Sequence, residues 1–454
     1  TPENYFIGHQ AGGSMTTGLY NSFFGYESGF SNTTGGRNVF MGYKTGYSNT
    51  EGSYNVFMGT KAGRSNVSGH YNIFIGDSAG YYNTTGKQNI FFGEGAGNSN
   101  IDGWANIFLG THSGYANTSG THNLFFGNFA GAENTTGVAN VFLGANSGQN
   151  NTTGNYNAFL GNLTGYSNTE GIDNVFVGNQ AGQENTTGDY NTFLGTFSGN
   201  KNTEGLSNVF VGNSAGYSNT DGKFNVCLGT NSGYNNTNGT RNTFLGQQAG
   251  ESNTTGSYNV ALGRFAGNTN STGDNNVFIG NEAGRYYSGS NKLFIENSSA
   301  GSSTALIYGD FYNDELRFNA NVGIWSAPSV TYKLYIAGKA YASEGWYIPA
   351  AKSMKKNISM FQGALDKIKE LNGVTFNWNQ DEKSEQDLPN ERQIGLIAEE
   401  VQNAIPELVK KDPDGNLAID YSRFSAVFIE AFKEQQKMIE ELQQEIQELK
   451  EKIK

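Results

Sequence analysis

Asn38-Val39-Phe40-Met41-Gly42-Tyr43-Lys44-Thr45-Gly46-Tyr47-Ser48-Asn49-Thr50-Glu51-Gly52-Ser53-Tyr54 decides the fold, because the same 17-residue unit begins again at Asn55, at Asn72 and at every further step to Asn276. Counting back adds Asn21 and Asn4, which makes 17 copies. A unit this short is one coil of a stack and not a domain, since it can bury an apolar face only against its neighbours.

The copies can be compared with one another. Gly42, Gly46 and Gly52 have counterparts in nearly every copy. Glycine at fixed offsets marks corners, where the backbone needs φ > 0 or has no room for a Cβ. Asn-Val-Phe-Met has the β-branched and aromatic content of a strand, and Asn-Thr-Glu-Gly is turn-like. The third residue of the unit is Phe in 15 of 17 copies, with Cys227 and Ala261 the exceptions. The fourth is always large and apolar, as in Ile7, Phe24, Met41, Leu109 and Val211. Neighbouring strand residues point to opposite faces, so both faces are apolar. A coil of this size has one interior, and its other face is expected to be covered by another chain.

The eighth residue is always small (Ala62, Ser113, Thr164, Ala283), which reads as a tight corner. Variable residues such as Tyr43, Arg64, His122 and Asp173 are expected to face solvent. The counterpart of Asn49 is Asn in 15 of 16 copies, Met15 being the exception. Stacked identical amides are expected to bond along the stack as a ladder, and the Asn-x-Thr glycan pattern is a by-product of the repeat. At about 4.8 Å per coil the stack makes a rod on the order of 80 Å long.

Composition narrows the function. The 454 residues carry a net charge of −12, and 63 glycines with 6 prolines fit tight corners, without the Gly-X-Y period of collagen. An acidic chain without a basic stripe argues against nucleic acid. Cys227 is the only cysteine, so no disulfide closes within the chain, and it reads as a small buried filler at a Phe position. His9, His70, His112 and His122 are scattered and have no metal-ligand spacing, and no cofactor is implied. No apolar run of about 20 residues is present to span a membrane. No signal-peptide pattern is recognised, and Thr1 stands at the threshold of a repeat, as in a fragment of a longer protein.

The period breaks at Asn291, which arrives 15 residues after Asn276 and opens a degenerate unit with Glu296 at the glycine position. Short alternating segments follow at 305–309, 315–318, 321–324 and 332–336, and they read as strands. Residues 291–349 are therefore expected to form a β-rich neck that interdigitates between chains, after a rod over 1–290. From residue 350 the pattern turns helical. Phe361, Leu365, Ile368 and Leu371 share a helical face. Val374–Trp378 reads as a strand, Ile394–Gln402 as a strand running into a helix, and Asp412-Pro413-Asp414-Gly415 as a hairpin turn. Phe428, Phe432, Gln435, Ile439, Leu442, Ile446, Leu449 and Ile453 follow a 4-3 spacing, which predicts a coiled-coil helix over about 425–454. The seam indicates assembly; its alternating Ile and Leu lean towards a dimer, and Gln435 is a candidate for fixing stoichiometry.

Two resemblances follow. The solenoid resembles the β-roll heads of trimeric autotransporter adhesins, and the Asn-Thr-Thr-Gly units of 1–290 are similar to those that precede the tail-fibre domain in bacterial and phage surface proteins. Residues 350–454 resemble the endosialidase-type intramolecular chaperone. The resemblance rests on Met354-Lys355-Lys356-Asn357-Ile358, Val374-Thr375-Phe376-Asn377-Trp378, Ile394-Gly395-Leu396-Ile397-Ala398-Glu399-Glu400-Val401, Pro406-Glu407-Leu408-Val409 and Asp420-Tyr421, in order. The resemblance implies a domain that drives trimerisation of the fibre before it and then cuts itself off ahead of a motif serine, assisted by a lysine. A hydroxyl with a nearby amine as base is sound chemistry for this. Lys355 stands at the lysine position, Ala350 at the serine position and Ala351 at the aspartate position, which puts the scissile bond between Pro349 and Ala350. Alanine offers no nucleophile, so this chain is not expected to cleave itself, and the pair reads as a deliberate inactivation of an otherwise intact motif, with natural loss as the alternative.

The expected fold class is mainly β: a trimeric β-solenoid or β-roll rod of 17-residue coils, a β-rich neck, and an α+β chaperone domain ending in a coiled-coil helix. The expected function is a non-enzymatic homotrimeric fibre, extracellular, on a cell surface, a virion or an injection apparatus. Its expected partner is a glycan or protein receptor, with Tyr47, Tyr81, Tyr115, Trp104, Tyr217 and Tyr234 as surface aromatics able to stack on sugars. The alternative is a polysaccharide-degrading enzyme, which needs a fixed carboxylate pair; Glu51, Asp102, Glu170 and Asp221 look instead like surface variation. Ice binding through the repeated Thr is a third idea, weakened because Val67 and Ile101 replace it, as though a partly buried methyl were the requirement.

Overall fold

The computed structural model describes residues 3–324, 334–336, 352–378, 391–411 and 415–453. The chain divides into two units, Thr1–Asn319 and Ala320–Lys454.

In the first unit every copy of the repeat contributes one three-residue strand. β1 is Tyr5–Ile7, β2 is Ser22–Phe24, and the series runs in steps of 17 to β17, Val277–Ile279. Each strand pairs in parallel with the next at equivalent positions: Phe40 faces Phe57, Phe125 faces Phe142, Phe193 faces Phe210. β18 (Lys292–Ile295) adds one more parallel rung, one residue out of period, with Leu293 opposite Val277. The chain then reverses. β19 (Ile307–Asp310) and β20 (Glu315–Phe318) continue the sheet antiparallel, and so occupy the edge that a parallel stack leaves open. Glu296, in place of the repeat glycine, accepts the Leu306 N–H at 2.8 Å, and Lys292 pairs with Asp310 at 2.9 Å.

The interior of each coil holds the third residue. From Phe23 to Phe210, twelve fully buried rings stack at 4.7–4.9 Å between centroids with planes within 9°. The spacing is that of adjacent strands, so one backbone repeat places every ring on the next. The small eighth residue lies in the same interior: Ala62, Ser113, Thr164 and Ala283 are all fully buried. It is small because it shares the space with a phenyl ring. The left-handed corners expected at glycine are also carried by the seventh and seventeenth residues, as in Lys44 (φ 54°) and Tyr54 (φ 59°). Gly46 serves two needs, since its φ is 57° and a Cβ there would lie 2.6 Å from the Phe40 ring.

Two asparagines close each coil. Asn49 Nδ2 donates to Asn32 Oδ1 of the preceding coil at 2.5 Å and to Gly52 O of its own coil at 3.0 Å. This is the ladder expected from the repeat. A second ladder runs through the first residue. The Asn38 N–H donates to Asn21 Oδ1 at 3.0 Å, while Asn38 Nδ2 reaches across to the same Gly52 O at 2.8 Å. Both amides are fully buried, and each bond satisfies a group that would be costly to bury unpaired. The repeated Thr adds a hydroxyl bond to the next coil, as from Thr33 to Thr50 O at 3.1 Å. Val67 and Ile101, which replace it, are exposed, so the position is kept for its hydroxyl and not for a buried methyl.

In the second unit, β21 (Val322–Ile324) pairs in parallel with β22 (Leu334–Ile336). Then come α1 (Ala364–Lys369), β23 (Val374–Phe376) antiparallel to β24 (Gln393–Gly395), α2 (Ala398–Ala404), β25 (Val409–Lys411) antiparallel to β26 (Leu417–Ile419), and α3 (Phe424–Lys452). Residues 412–414 of the expected hairpin turn lie outside the described residues. The core is small: Ala364, Val401, Ile405, Leu408, Phe424 and Val427 are at its centre, and Phe361, Leu365, Ile368 and Leu371 pack around it, although only Leu365 and Ile368 lie within α1 and the expected helical face is shorter than its spacing suggests.

The stacked ring is the main apolar filling of each coil, so truncating one in mid-ladder removes contacts on both sides. Phe142→Ala is expected to lower the stability of the rod by about 3–5 kcal/mol. Denaturant melting at fixed chain concentration measures this.

Candidate cleavage site and assembly surfaces

Of the residues expected at the cleavage site, Lys355 is described and Pro349, Ala350 and Ala351 lie outside the described residues. Lys355 follows a single 3₁₀ turn, Lys352–Met354, and is exposed. Two residues on, Asn357 takes a left-handed conformation (φ 53°), for which Asn is better suited than most side chains. The segment then runs to α1 with Met354, Ile358 and Met360 exposed.

The other motif residues build the hairpin and turns of this unit. Val374 faces Gly395 across β23 and β24. A Cβ on Gly395 would lie 3.0 Å from the Tyr421 hydroxyl and 3.1 Å from the Phe376 ring, so this glycine makes room for both. The Tyr421 hydroxyl in turn accepts the Leu396 N–H at 3.0 Å, and Trp378 meets Phe376 edge-on at 5.2 Å. Pro406 starts a 3₁₀ turn, Pro406–Leu408, where it has no N–H to waste. Asp420 stands before α3. The Ser422 hydroxyl, donating to it at 2.5 Å, holds its carboxyl below the usual carboxylate range; partial burial acts the other way, and Arg423 at 2.9 Å reinforces the lowering.

One residue that sequence reasoning passed over joins the helices. Gly363 offers α1 no side-chain cap. The first turn is instead met by Glu434 of α3, whose two carboxylate oxygens accept the N–H groups of Ala364 at 3.1 Å and Leu365 at 2.7 Å. Glu434 continues the face of α3 that carries the buried Phe424, Val427 and Ala431. The only sequence signal was a glutamate in register with three apolar residues at helical spacing.

The face of α3 beside this one is uncovered. Phe428, Phe432, Ile439, Leu442, Ile446 and Leu449 are exposed, Phe432 by 65%. The rod has a comparable stripe. The second and fourth residues of each unit, which flank the ring in the strand, point away from the ring ladder and remain half-buried or exposed along all 17 rungs, with Phe92 and Phe126 each more than half exposed at 55% and 57%.

The surface aromatics expected to stack on sugars are already in contact with other aromatic or cationic side chains. Phe30 lies on Tyr47 at 5.2 Å and Tyr217 on Tyr234 at 4.9 Å. The Arg64 guanidinium is inserted between Tyr47 and Tyr81, 5.5 Å and 5.4 Å from their ring centres. Tyr115 meets His112, and Trp104 meets His122, edge to face. These columns follow from equal residues placed one coil apart, and they take up much of the ring faces. Glu51, Asp102, Glu170 and Asp221 are exposed, as surface variation requires.

Residues 352–410 match the family described as chaperone of endosialidase. The chain is 36% identical over 78 residues to the Long tail fiber protein Gp37 of Escherichia phage AR1, which covers 17% of this chain and 7% of that protein. It is 28% identical over 153 residues to the protein of the same name from Salmonella phage S16, covering 30% of this chain and 20% of that protein. The chain thus matches only a small part of the length of these relatives. No solved structure matches it.

The Asp420 cluster gives the domain an acid limit. A carboxyl held below its unfolded value contributes stability that is present above that value, near 3.9, and is lost as pH falls through the lowered one. Asp420→Asn is expected to cost about 1 kcal/mol at neutral pH and to flatten the loss of stability below about pH 4. Chemical denaturation across pH 2–7 tests this.

Proposed function

We propose that this chain is a segment of a homotrimeric, virion-associated fibre, divided into a rod (1–290), a neck (291–349) and a C-terminal assembly chaperone (350–454) that is removed by self-cleavage when its motif is intact. A β-solenoid fibre with a chaperone-of-endosialidase domain is the ground on which the proposal stands. The observation that carries assembly is the uncovered apolar seam of α3, whose exposed Phe, Ile and Leu are far more than a solvated helix tolerates. The outward stripe of the rod is a second, independent one. The number three comes from the resemblance, since the seam alone does not count chains. Chains must also meet in one register, because sliding a stripe of near-equivalent rungs by a whole coil preserves most contacts. A chaperone that joins the chains at one end sets that register. Recognition of a surface glycan or protein by the rod's aromatic columns completes the reading, and a glycan array screened with the purified chain tests that part.

Light scattering of the purified chain is expected to give three times its 49.0 kDa mass; a monodisperse monomer or dimer overturns the trimer.

The cleavage chemistry is an intramolecular acyl shift. With serine at 350, its hydroxyl attacks the Pro349 carbonyl carbon and the Pro349–350 amide bond breaks. Pro349 is then held as an ester on the serine oxygen, and neutral Lys355 takes the hydroxyl proton and returns it to the departing amine. Water hydrolyses the ester and frees residues 350–454. Nucleophile and scissile bond are adjacent in one chain, so no second-order encounter is needed. Ala350→Ser with Ala351→Asp is expected to run as two bands on a denaturing gel, the smaller beginning at residue 350. Adding Lys355→Ala is expected to abolish the cut. A double revertant that forms the trimer and stays whole removes self-cleavage from the proposal.

A further inference from the structure

The α3 helix has two working faces that meet at neighbouring residues. Gln435 and the exposed Phe432 belong to the open seam, while Glu434 faces α1 and caps it. A long-range cap of this kind is unusual for so short a helix. α1 has six residues, its N-cap is a left-handed glycine (φ 66°), and no local side chain bonds its first turn. A helix of that length does not hold itself together in water. Its first turn therefore depends on the Glu434 carboxylate and on the packing of Ala364 and Leu365 beneath α3. The stretch immediately before it, 354–363, carries Lys355 and the left-handed Asn357, and its large apolar residues Met354, Ile358 and Met360 are exposed. Glu434 also lies beyond residues 352–410, the part matched to the chaperone family.

We propose that Glu434 is a positioning residue that transmits closure of the α3 seam to the Lys355 segment, by clamping the N-terminus of α1. The inference rests on the self-cleavage reading for its purpose, though not for its physics. While the seam is open, α3 beyond the small core is a solitary amphipathic helix that no neighbouring chain holds in place, so the Glu434 bonds rest on local packing alone. Assembly of the seam fixes that part of α3. The two carboxylate oxygens then hold Ala364 and Leu365 continuously, and the chain leading back to Lys355 starts from a fixed point. The lysine is thereby brought to one position only in the assembled fibre, so that the chaperone is not lost before its work is done.

Two experiments separate the clamp from the cleavage. The first uses the chain as it stands, with Ala350 and Ala351, and follows amide hydrogen exchange of peptides covering 354–365. Glu434→Ala is expected to speed exchange there roughly tenfold, the loss of one helix cap, while light scattering still reports the assembled mass. Glu434→Gln, which keeps one acceptor oxygen, is expected to restore part of the protection. Opening the seam with Leu442→Asp is expected to speed exchange in the same peptides, and to add little when Glu434 is already Ala. Unchanged exchange in Glu434→Ala, or a seam effect equally large with and without Glu434, overturns the clamp. The second experiment places Glu434→Ala in the Ala350→Ser, Ala351→Asp background. There the cut is expected to slow by roughly ten- to a hundredfold at unchanged trimer mass, with Glu434→Gln intermediate. An equal rate overturns the link to cleavage. A revertant that does not cut even with Glu434 intact refutes the self-cleavage reading instead, and leaves the clamp to the exchange measurement.

Discussion

The rod depends on buried amides that close a ring of backbone every 17 residues. Asn38 and Asn49 both donate to Gly52 O, and so tie the start of the coil to its last corner. Both residues also bond to the side chain of their counterpart one coil back, Asn38 through its backbone N–H and Asn49 through Nδ2. An Asn buried without partners is a liability of several kcal/mol; here its donors and its acceptor are used, and that cost becomes specificity for one closed shape. Once the ring is closed, the rest follows from translation: Phe falls on Phe, Thr hydroxyl on the next carbonyl, Tyr on Tyr or on Arg. Gly52 shows how tight the closure is. Its φ is ordinary, yet a Cβ would sit 2.4 Å from Gly69 O, so only glycine lets successive corners stack.

A stack of this kind has no preferred end. The ladder is interrupted at Cys227 and Ala261, where the rings on either side lose a partner, and Phe278 has moved until it is the ring nearest to Gly267. Burial pushes the Cys227 thiol well above its ordinary pKa, which leaves it an inert filler. Beyond β17 the sheet is ended by a change of chemistry: a rung one residue short, a glutamate for a glycine, and a reversed strand pair held by Lys292 and Asp310. Breaking the period is what stops the propagation.

The second unit works by the opposite rule. Its core is small and its elements are short, and they are joined by single contacts that each matter: Tyr421 to Leu396, Asp420 to Ser422 and Arg423, Glu434 to the first turn of α1. Beside this small core the domain leaves an apolar seam uncovered. Several motif residues that define its resemblance to the chaperone family, Gly395 and Tyr421 among them, do structural work at a distance from Lys355.

The sequence by itself determined the coil, its period, a strand apolar on both faces and one Asn ladder, because in a stack identical residues recur at identical depth, and repetition within one chain reveals which positions are constrained; that Phe is the residue turned inward came from the fold. It also determined the seam of α3, since a 4-3 spacing survives any packing. The tertiary structure alone decided which groups close the ring. The first Asn of each unit looks like part of a strand until the fold brings it 14 residues across to a glycine carbonyl. Likewise the eighth residue reads as a corner until the phenyl ring beside it is seen. Left-handed backbone at Lys44 and Tyr54 has no signature, because tertiary closure overrides the preference of ordinary side chains. Glu434 was the least legible of all: a carboxylate on a charged helix is indistinguishable from its neighbours until a helix 70 residues earlier in the chain presents two free N–H groups to it.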